Sequence, residues 1–388
     1  MGLNFTHWPY YWLNSLNPTG SDNWAVFFGA DLRDISEVNR KFFIEKTNQC
    51  LDYIRKNCAG YRLIYRPHPD ETNESQLLDL TSFSVQKNDQ IAEIFLWKNK
   101  EKIKYVFSVC STSSVAGFNM GFNAYSFYRY IKELFKGAIR IYNDNYLGDL
   151  PDDFFIENLA APLLENKREL REDQKLSESF KSILAENSGP VYFTVVENRF
   201  ILAIIGLAKM IRRIAPERKI SLIVSNHSRW SASYLQELEK EFDEVVIFPR
   251  HFYSLQPKKL WSAFLTSRKI KNNPLPAGSI LVGFAHHDFV ENCFMSYNRK
   301  NFKIAFLPEV IWDLNFRAES VGFDPKNFTT NKAGFFYNHF FEPLLRLNRT
   351  VFKHHGKTTD KRFYFIKLQK LIEEVCEEVF LLKNSPTE

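Results

Sequence analysis

The chain of 388 residues carries 51 Lys and Arg against 45 Asp and Glu, a net charge of +6, and 45% of its residues are hydrophobic. This composition excludes an intrinsically disordered protein, which combines low hydrophobicity with high net charge. The length exceeds what one hydrophobic core usually supports, so we expect two domains. The mild positive charge is compatible with a phosphate-bearing ligand or an anionic membrane surface but identifies neither.

Cysteine usage and the absence of targeting patterns indicate the compartment. The five cysteines contain no CxxC pair, so we expect neither a disulfide framework nor a zinc site, and a reducing cytoplasm fits best. The sequence shows no signal-peptide pattern at its start and no run of about 18 apolar residues that could span a membrane. Because no block of five or six basic residues occurs, a nucleic-acid partner is not expected.

Alternating strand and helix patterns fill the first half of the chain. The apolar run at 24–30 predicts a buried strand, and apolar residues at helical spacing predict a helix over 38–58. Further strands are predicted at 61–65, 91–97 and 105–109. A helix is predicted to begin near Ser113 and to continue through the 120s. The charged stretch 144–190 predicts a connection of helix and loop.

A second alternating series follows this connection. Its strand-like runs lie at 191–196, 220–224, 245–248, 280–284 and 302–307. Its helical patterns lie at 201–214, 231–242 and 257–270, and the tail 363–382 has the pattern of an amphipathic helix. Two consecutive series predict an α/β protein with two Rossmann-like domains facing a cleft, over 1–185 and 190–388.

Three loops of the first half stand where ligands usually bind, at the carboxyl ends of parallel strands. They cover 30–36, 66–70 and 110–114. The third contains four hydroxyl residues in a row at a predicted helix N-terminus: Ser111, Thr112, Ser113 and Ser114. The unbonded N–H groups and the dipole of a helix N-terminus favour a phosphate. The alternative is that Ser113 or Ser114 only caps the helix.

The second loop contains Arg66, His68 and Pro69 in the segment RPHP. Prolines restrict the backbone and would hold the imidazole in one direction. His68 could donate to a phosphate or protonate a leaving oxygen, and Arg66 could bind a carboxylate or phosphate through two hydrogen bonds. A surface turn is the alternative, because Pro and Asp are common turn formers.

The His-Pro pair followed by the serine/threonine run resembles the nucleotide-binding half of bacterial transferases that use CMP-activated acidic sugars. These are the sialyltransferases, polysialyltransferases and Kdo transferases of capsule, lipopolysaccharide and O-antigen synthesis. The resemblance covers roughly residues 20–130. It implies a GT-B-like glycosyltransferase in which His68, Pro69 and Ser111–Ser114 contact the CMP part of the donor. It implies no cofactor besides the CMP-sugar substrate, and we expect no metal.

The first loop, within FFGADLRDIS, resembles the loop of retaining β-Kdo transferases in which a catalytic aspartate is followed at two residues by serine. The matching residues are Asp34 and Ser36. The resemblance implies that Asp34 is the nucleophile of a double displacement. Arg33 or Arg66 would then hold the sugar carboxylate. Asp31 remains the alternative nucleophile, and the alternative for Asp34 is a structural role as a helix N-cap or an acid in a first helical turn.

The nucleotide-binding half comes first here, whereas most two-domain transferases of this kind place it second. Either the halves are exchanged or the sequence is an excerpt from a longer protein. In the second half we expect a base that deprotonates the acceptor, and we favour Asp288 and Glu309. Other polar residues near strand ends are Glu197, Asn198, Asn226, His227, His286 and His287. Each could instead be a turn or cap residue.

These patterns predict a cytoplasmic enzyme that moves Kdo from CMP-Kdo, with retention, to a bacterial surface glycan that is lipid-linked. The aromatic and basic segment 335–357 would allow contact with the inner face of the membrane, although buried packing is the alternative. Two other functions stay open. One is an inverting transferase that uses CMP-sialic acid, and the other is a non-catalytic partner in polysaccharide assembly. The sequence contains no Walker loop and no GxGxxG motif.

Overall fold

A computed structural model describes residues 3–13, 23–68, 71, 77–86, 91–166, 168–195, 200–226, 236, 238–251, 254–283, 288–308, 336–347 and 375–383. The chain divides into two compact units. The seven-stranded unit consists of Met1–Pro9 and Asp173–Lys383, and the five-stranded unit contains Tyr10–Glu172. Residues 1–9 and the helix Gln174–Glu186 therefore belong to the seven-stranded unit. The predicted boundary placed both in a first domain of residues 1–185.

Every strand of the described residues runs parallel to its neighbours. In chain order the strands are β1 (Leu3–His7), β2 (Trp24–Phe28), β3 (Arg62–Arg66), β4 (Phe83–Val85), β5 (Ile103–Ser108), β6 (Asn123–Ser126), β7 (Val191–Val195), β8 (Ile220–Asn226), β9 (Glu244–Pro249), β10 (Ile280–Gly283), β11 (Phe302–Pro308) and β12 (Glu378–Lys383).

The α-helices of the described residues lie between these strands. They are α1 (Arg40–Asn57), α2 (Ala92–Lys98), α3 (Thr112–Asn119), α4 (Tyr128–Ile131), α5 (Gly137–Leu147), α6 (Gln174–Glu186), α7 (Ile201–Ile214), α8 (Pro257–Asn272), α9 (Phe289–Tyr297) and α10 (Glu342–Leu345). Short 3-10 turns occur at several loops, among them Leu32–Asp34, and a π-helix at Tyr337–Phe341 leads into α10.

The strand orders are β4-β3-β2-β5-β6 in one sheet and β1-β12-β11-β10-β7-β8-β9 in the other. In the five-stranded sheet the chain starts on the middle strand β2, adds β3 and β4 on one side and then returns to add β5 and β6 on the other. In the seven-stranded sheet β7 to β12 follow the same course, and the N-terminal strand β1 lies at the edge beside β12. This is the doubly wound order of Rossmann-like sheets. The predicted α/β class with two parallel sheets is confirmed. The order reverses between β2 and β5 and between β7 and β10, where such folds bind ligands.

Continuous apolar runs explain the central strands. All five residues of β2 are buried, and so are all five of β7, as expected for parallel strands that are covered on both faces. Helix α7 also matches its predicted bounds, and ten of its fourteen residues are buried. Helix α3 ends at Asn119 and does not continue through the 120s. Gly121, with φ 86°, follows its end, and β6 begins at Asn123.

Two predicted elements have the wrong type. Residues 91–97 were expected to form a strand, but 92–98 form helix α2, in which Glu93, Ile94, Phe95 and Leu96 are buried. A short apolar run of this kind fits a buried helix turn as well as a strand. The tail was expected to be helical over 363–382, but Glu378–Lys383 forms strand β12. Residues 363–374 lie outside the described residues.

Candidate functional site

The loops after β2, β3 and β5 meet at one edge of the five-stranded sheet. Phe28, the last residue of β2, pairs in register with Arg66 on one side and with Ser108 on the other. The three strands therefore end at the same level. We call the described segments that follow the β2 loop (residues 29–36), the β3 loop (67–68) and the β5 loop (109–111). The strand order reverses between the β2 and β5 loops.

The β2 and β3 loops touch through their backbones at Gly29. Its N–H donates to the Arg66 carbonyl at 2.8 Å. A Cβ at position 29 would lie 3.0 Å from the backbone nitrogen of His68 and 2.6 Å from the Tyr65 hydroxyl oxygen. Only glycine therefore allows this approach without a shift of the neighbouring backbone. His68 is half-buried beside this contact, and Pro69 lies outside the described residues.

Asp31 and Arg33 form a paired turn in the β2 loop. The Arg33 Nε donates to both carboxylate oxygens of Asp31 at 2.9 Å, and Nη2 donates at 2.6 Å. Burial alone would raise the pKa of Asp31, but the hydrogen bonds and charge of Arg33, with the charge of His68, lower it. Asp31 is thus an ionised partner of Arg33. The guanidinium predicted to hold a sugar carboxylate is already bound to a carboxylate of the protein.

Asp34 is the last residue of the turn Leu32–Asp34 in the same loop, and its carbonyl accepts from the Lys136 N–H at 3.1 Å. Burial raises the pKa of the Cys110 thiol, and the negative charges of Asp34 and Asp144 raise it further. The Asp34 carboxylate is therefore near the β5 loop. Asp34 is an acid in the 3-10 turn Leu32–Asp34, which Asp31 caps, and the N-cap of α1 is Asn39; the first-turn alternative thus describes Asp34, and the N-cap alternative does not. Ser36 precedes the turn Glu37–Asn39 and makes no side-chain cap bond.

Arg66 is buried under α2. Its side chain is 2% exposed, and its guanidinium carbon lies 4.1 Å from the centre of the Phe95 ring. This is a cation–π contact inside the unit. The prediction that Arg66 binds a donor carboxylate or phosphate at the loop is not supported by this position, because the side chain is not presented to solvent. A strand-end arginine can point to either face of the sheet, which the sequence did not resolve.

The run Ser111–Ser114 forms the start of α3. Two of its hydroxyls make hydrogen bonds within the protein, and Thr112 is exposed. The Ser111 hydroxyl caps the helix by accepting from the Ser113 N–H at 3.1 Å. The fully buried Ser114 hydroxyl donates to the Ser111 carbonyl at 3.0 Å and lies 2.7 Å from the Ser108 hydroxyl oxygen. Ser113 is 9% exposed, and Thr112 is the exposed residue of the run. The helix cap is therefore Ser111, whereas the capping alternative had named Ser113 or Ser114, and Thr112 faces solvent at the first turn.

A small cavity of about 10 Å³, enough for one water molecule, lies between the carboxyl end of β2 and α1. Its lining is mostly apolar and includes Gly29, Leu32 and Val109 from the β2 and β5 loops. Its polar lining includes Tyr65 and Glu71, and the Tyr65 hydroxyl donates to the Glu71 carboxylate. Asp31, Asp34, His68 and the hydroxyl run do not line this cavity, so it is a packing void beside the candidate site and gives no evidence of a ligand pocket.

In the seven-stranded unit, Asp288 is the N-cap of α9. Its carboxylate accepts from the N–H groups of Val290 at 2.9 Å and Glu291 at 3.4 Å, and the residue is 5% exposed. Asp288 is therefore a helix cap, the structural role given as the alternative to a catalytic base. The other favoured base, Glu309, lies outside the described residues, as do Glu197, Asn198, His227, His286 and His287. Asn226 ends β8, but its side chain is not described.

The sequence reasoning missed His251, which follows β9 by two residues. Its Nε2 lies 2.8 Å from the Thr266 hydroxyl oxygen, and its ring meets the Phe289 ring edge-on at 5.4 Å. Burial lowers the pKa of His251, and the charge of Asp288 opposes that shift. Ligand-binding residues usually follow the carboxyl ends of parallel strands, and this rule, when applied to β9, identifies His251 as a candidate. It lies near Asp288 at the carboxyl edge of the second sheet.

Replacement of Asp288 by alanine should lower the free energy of unfolding by about 1–2 kcal/mol, because α9 loses its cap. Asparagine is an equally good cap and should keep most of that stability. Urea denaturation of both variants measures the difference. An Asp288→Asn protein as unstable as Asp288→Ala would contradict the capping role.

Comparison with known proteins adds no relative. No protein-family model matches the chain, and no curated protein matches it. Among the described residues, no cluster of three or more His, Cys, Asp or Glu side chains could hold a metal ion. Over the same residues, none of the helices has the length and apolar character needed to cross a membrane. The residues predicted to bind the donor come together at the β2, β3 and β5 loops, and Asp31, Asp34, His68 and Ser111 are among them.

Proposed function

We propose that the chain is a glycosyltransferase that moves Kdo from CMP-Kdo, with retention, to a bacterial surface glycan. One observation carries this proposal: the loops with Asp31 and Asp34, His68, and Ser111 meet at the strand-order reversal of a parallel sheet. Nucleotides bind Rossmann-like sheets at this place. The motifs that resemble those of CMP-sugar transferases therefore occupy the edge where a donor would bind.

The CMP phosphate would lie at the start of α3. The helix N-terminus offers a partial positive charge, and the exposed Thr112 adds a hydroxyl donor. His68 is close enough to Asp31 for its charge to lower the pKa of that carboxyl, so both belong to the same edge. CMP carries one phosphate, and these groups could neutralise it as it leaves.

Asp34 is our choice for the nucleophile over Asp31. Asp31 accepts three hydrogen bonds from the Arg33 side chain and one from the Arg33 backbone N–H, which caps the turn Leu32–Asp34. The Asp34 carboxylate would attack the anomeric carbon, forming a glycosyl ester as the bond to CMP breaks and the electron pair leaves with the phosphate. The deprotonated acceptor hydroxyl would then displace Asp34. Two inversions give net retention.

The wider setting belongs to the same proposal. We propose a GT-B-like transferase, with the seven-stranded unit on the acceptor side, acting in the cytoplasm on a lipid-linked glycan. The strand order of that unit, which is also doubly wound, supports a second Rossmann-like domain. The base that deprotonates the acceptor would come from a strand end of this unit.

Binding of CMP to the purified chain tests the donor assignment. At about 100 times its dissociation constant, CMP should stabilise the protein by about 2.7 kcal/mol, and UDP should have little effect. Thr112→Val should weaken CMP binding, measured by titration calorimetry, while the exposed Thr81→Val in the same unit serves as the matched control. If CMP neither stabilises the protein nor releases heat, the donor assignment is wrong.

A further inference from the structure

The outward face of α8 combines exposed apolar side chains with basic ones. Trp261 is 61% exposed and Leu265 is 47% exposed. Lys258 and Arg268 are also exposed, and the spacing of the four residues places them on one side of the helix. The helix, PKKLWSAFLTSRKIKN, contains five basic residues and no acid. A solvated helix face normally mixes both signs of charge and lacks large apolar groups.

The inner side of α8 packs into the seven-stranded unit, and this packing fixes the position of the helix. Ala263 and Ile270 are buried in an apolar cluster with α9 and with the segment 336–347. On the outer side, the Trp261 ring stacks on Phe264, with 5.3 Å between ring centres. The exposed indole is therefore supported by a neighbouring ring on a packed helix, and its exposure does not come from a loose end of the chain.

The neighbouring segment 336–347 has the same character. One hydroxyl joins the two elements, because the Tyr297 oxygen lies 2.6 Å from the Ser267 hydroxyl of α8 and donates to the Leu345 carbonyl at 2.8 Å. This segment exposes Phe340 by 58% and Leu344 by 75%. Its single acid, Glu342, is fully buried. Two adjacent elements thus expose large apolar side chains and no carboxylate.

The charge and residue types favour a lipid surface over a protein partner. Four of the five basic residues of α8 are lysines, and protein interfaces are depleted in lysine. At a membrane, Trp, Phe and Leu side chains enter the headgroup region, while lysine and arginine extend their charges to anionic lipids. The composition of α8 therefore matches an interfacial helix. Its positive charge is complementary to an anionic bilayer.

We infer that α8 and the segment 336–347 form a docking surface for an anionic lipid bilayer, with Trp261, Leu265, Phe340 and Leu344 inserted and Lys258 and Arg268 over the headgroups. The sequence pattern had indicated membrane contact only for 335–357. The structure adds α8 as its neighbour, with a larger share of the charge. This surface belongs to the seven-stranded unit, whereas the β2, β3 and β5 loops belong to the five-stranded one.

Co-sedimentation of the full chain with vesicles tests this surface and involves no nucleotide, so its outcome is independent of the donor assignment. The vesicles are phosphatidylcholine alone, or phosphatidylcholine with one quarter phosphatidylglycerol. Wild type should bind only the anionic vesicles. Trp261→Ala/Leu265→Ala should weaken binding by about tenfold or more. Lys258→Ala/Arg268→Ala should weaken it by about fivefold for each cation removed.

Matched variants control for general loss of charge or apolar surface. Lys175→Ala/Lys181→Ala removes two exposed cations from α6 of the same unit, and Leu77→Ala/Leu164→Ala removes two exposed leucines from the other unit. Both should bind as wild type does. Absence of wild-type binding, or equal losses in control and test variants, would overturn the inference. So would a dimer in light scattering that Trp261→Ala/Leu265→Ala converts to monomer without any vesicle binding.

Discussion

Replacement of Asp34 by alanine should abolish sugar transfer while leaving CMP affinity nearly unchanged. Removal of a catalytic nucleophile typically costs at least about 10⁴-fold in rate. The phosphate is expected to bind the N–H groups and the Thr112 hydroxyl at the start of α3, so the Asp34 carboxylate makes no bond to CMP in this proposal. The measurement is release of CMP from CMP-Kdo in the presence of an acceptor, together with CMP titration of the same variant.

Asp31→Ala is the matched control for this experiment, because it removes a carboxylate from the same turn. It should free Arg33 and loosen the loop, and so lower the rate by a smaller factor. Intact mass after incubation with CMP-Kdo adds a second readout. A sugar adduct present in wild type and absent in Asp34→Ala supports the double displacement.

The reverse result is equally informative. An adduct that disappears in Asp31→Ala and persists in Asp34→Ala would transfer the nucleophile role to Asp31. Transfer that continues at wild-type rate in both variants would exclude a β2-loop nucleophile. An inverting transferase, with its base elsewhere, would then be the better description.

The location of the candidate site could be predicted from the sequence, because it depends on a local rule. Buried apolar runs identify β2, β3 and β5, and parallel strands end at one edge of a sheet. The residues directly after them, such as His68 and Ser111, therefore lie at one edge whatever the strand order, and the order β3-β2-β5 then makes their loops neighbours. The pairing of Phe28 with Arg66 and Ser108 in the structure confirms this alignment.

The direction of individual side chains could not be predicted in the same way. Arg66 is adjacent in sequence to the site, yet it turns under α2 and stacks on Phe95. Ser114 belongs to the hydroxyl run, yet it is buried against Ser108. Such outcomes depend on which face of the sheet a neighbouring helix covers. That information is carried by packing between distant segments, and a local pattern does not contain it.

The same limit explains the two elements of the wrong type. Strand β12 lies between β1 and β11, so both of its neighbours come from distant parts of the sequence. Its residues, EVFLLK, have an apolar run that suits a helix face or a buried strand equally. Residues 378–383 form a strand because the edge of β11 offers unpaired backbone groups to which a strand can bond. The N-terminal strand β1 then pairs with β12, which no local signal indicates.

Substitution of Gly206 by alanine should destabilise the seven-stranded unit by about 2–4 kcal/mol. Helix α7 and Pro9, which follows β1, approach each other too closely for a side chain at position 206. A Cβ at position 206 would lie 2.1 Å from the carbonyl oxygen of Pro9. The obstructing atom belongs to the backbone and cannot rotate away. Alanine favours a helix over glycine by up to about 1 kcal/mol, which offsets only part of the cost.

Gly137→Ala is the matched control, since a Cβ there meets nothing within 4 Å and the residue begins α5 in the other unit. Its stability should be equal to that of wild type or slightly higher. Urea denaturation followed by circular dichroism measures both variants. To accommodate the added methyl group in Gly206→Ala, α7 or the chain after β1 must move, and that movement would strain the pairing of β1 with β12 at the sheet edge. Equal stability of Gly206→Ala and wild type would mean that the N-terminal segment is not fixed against α7.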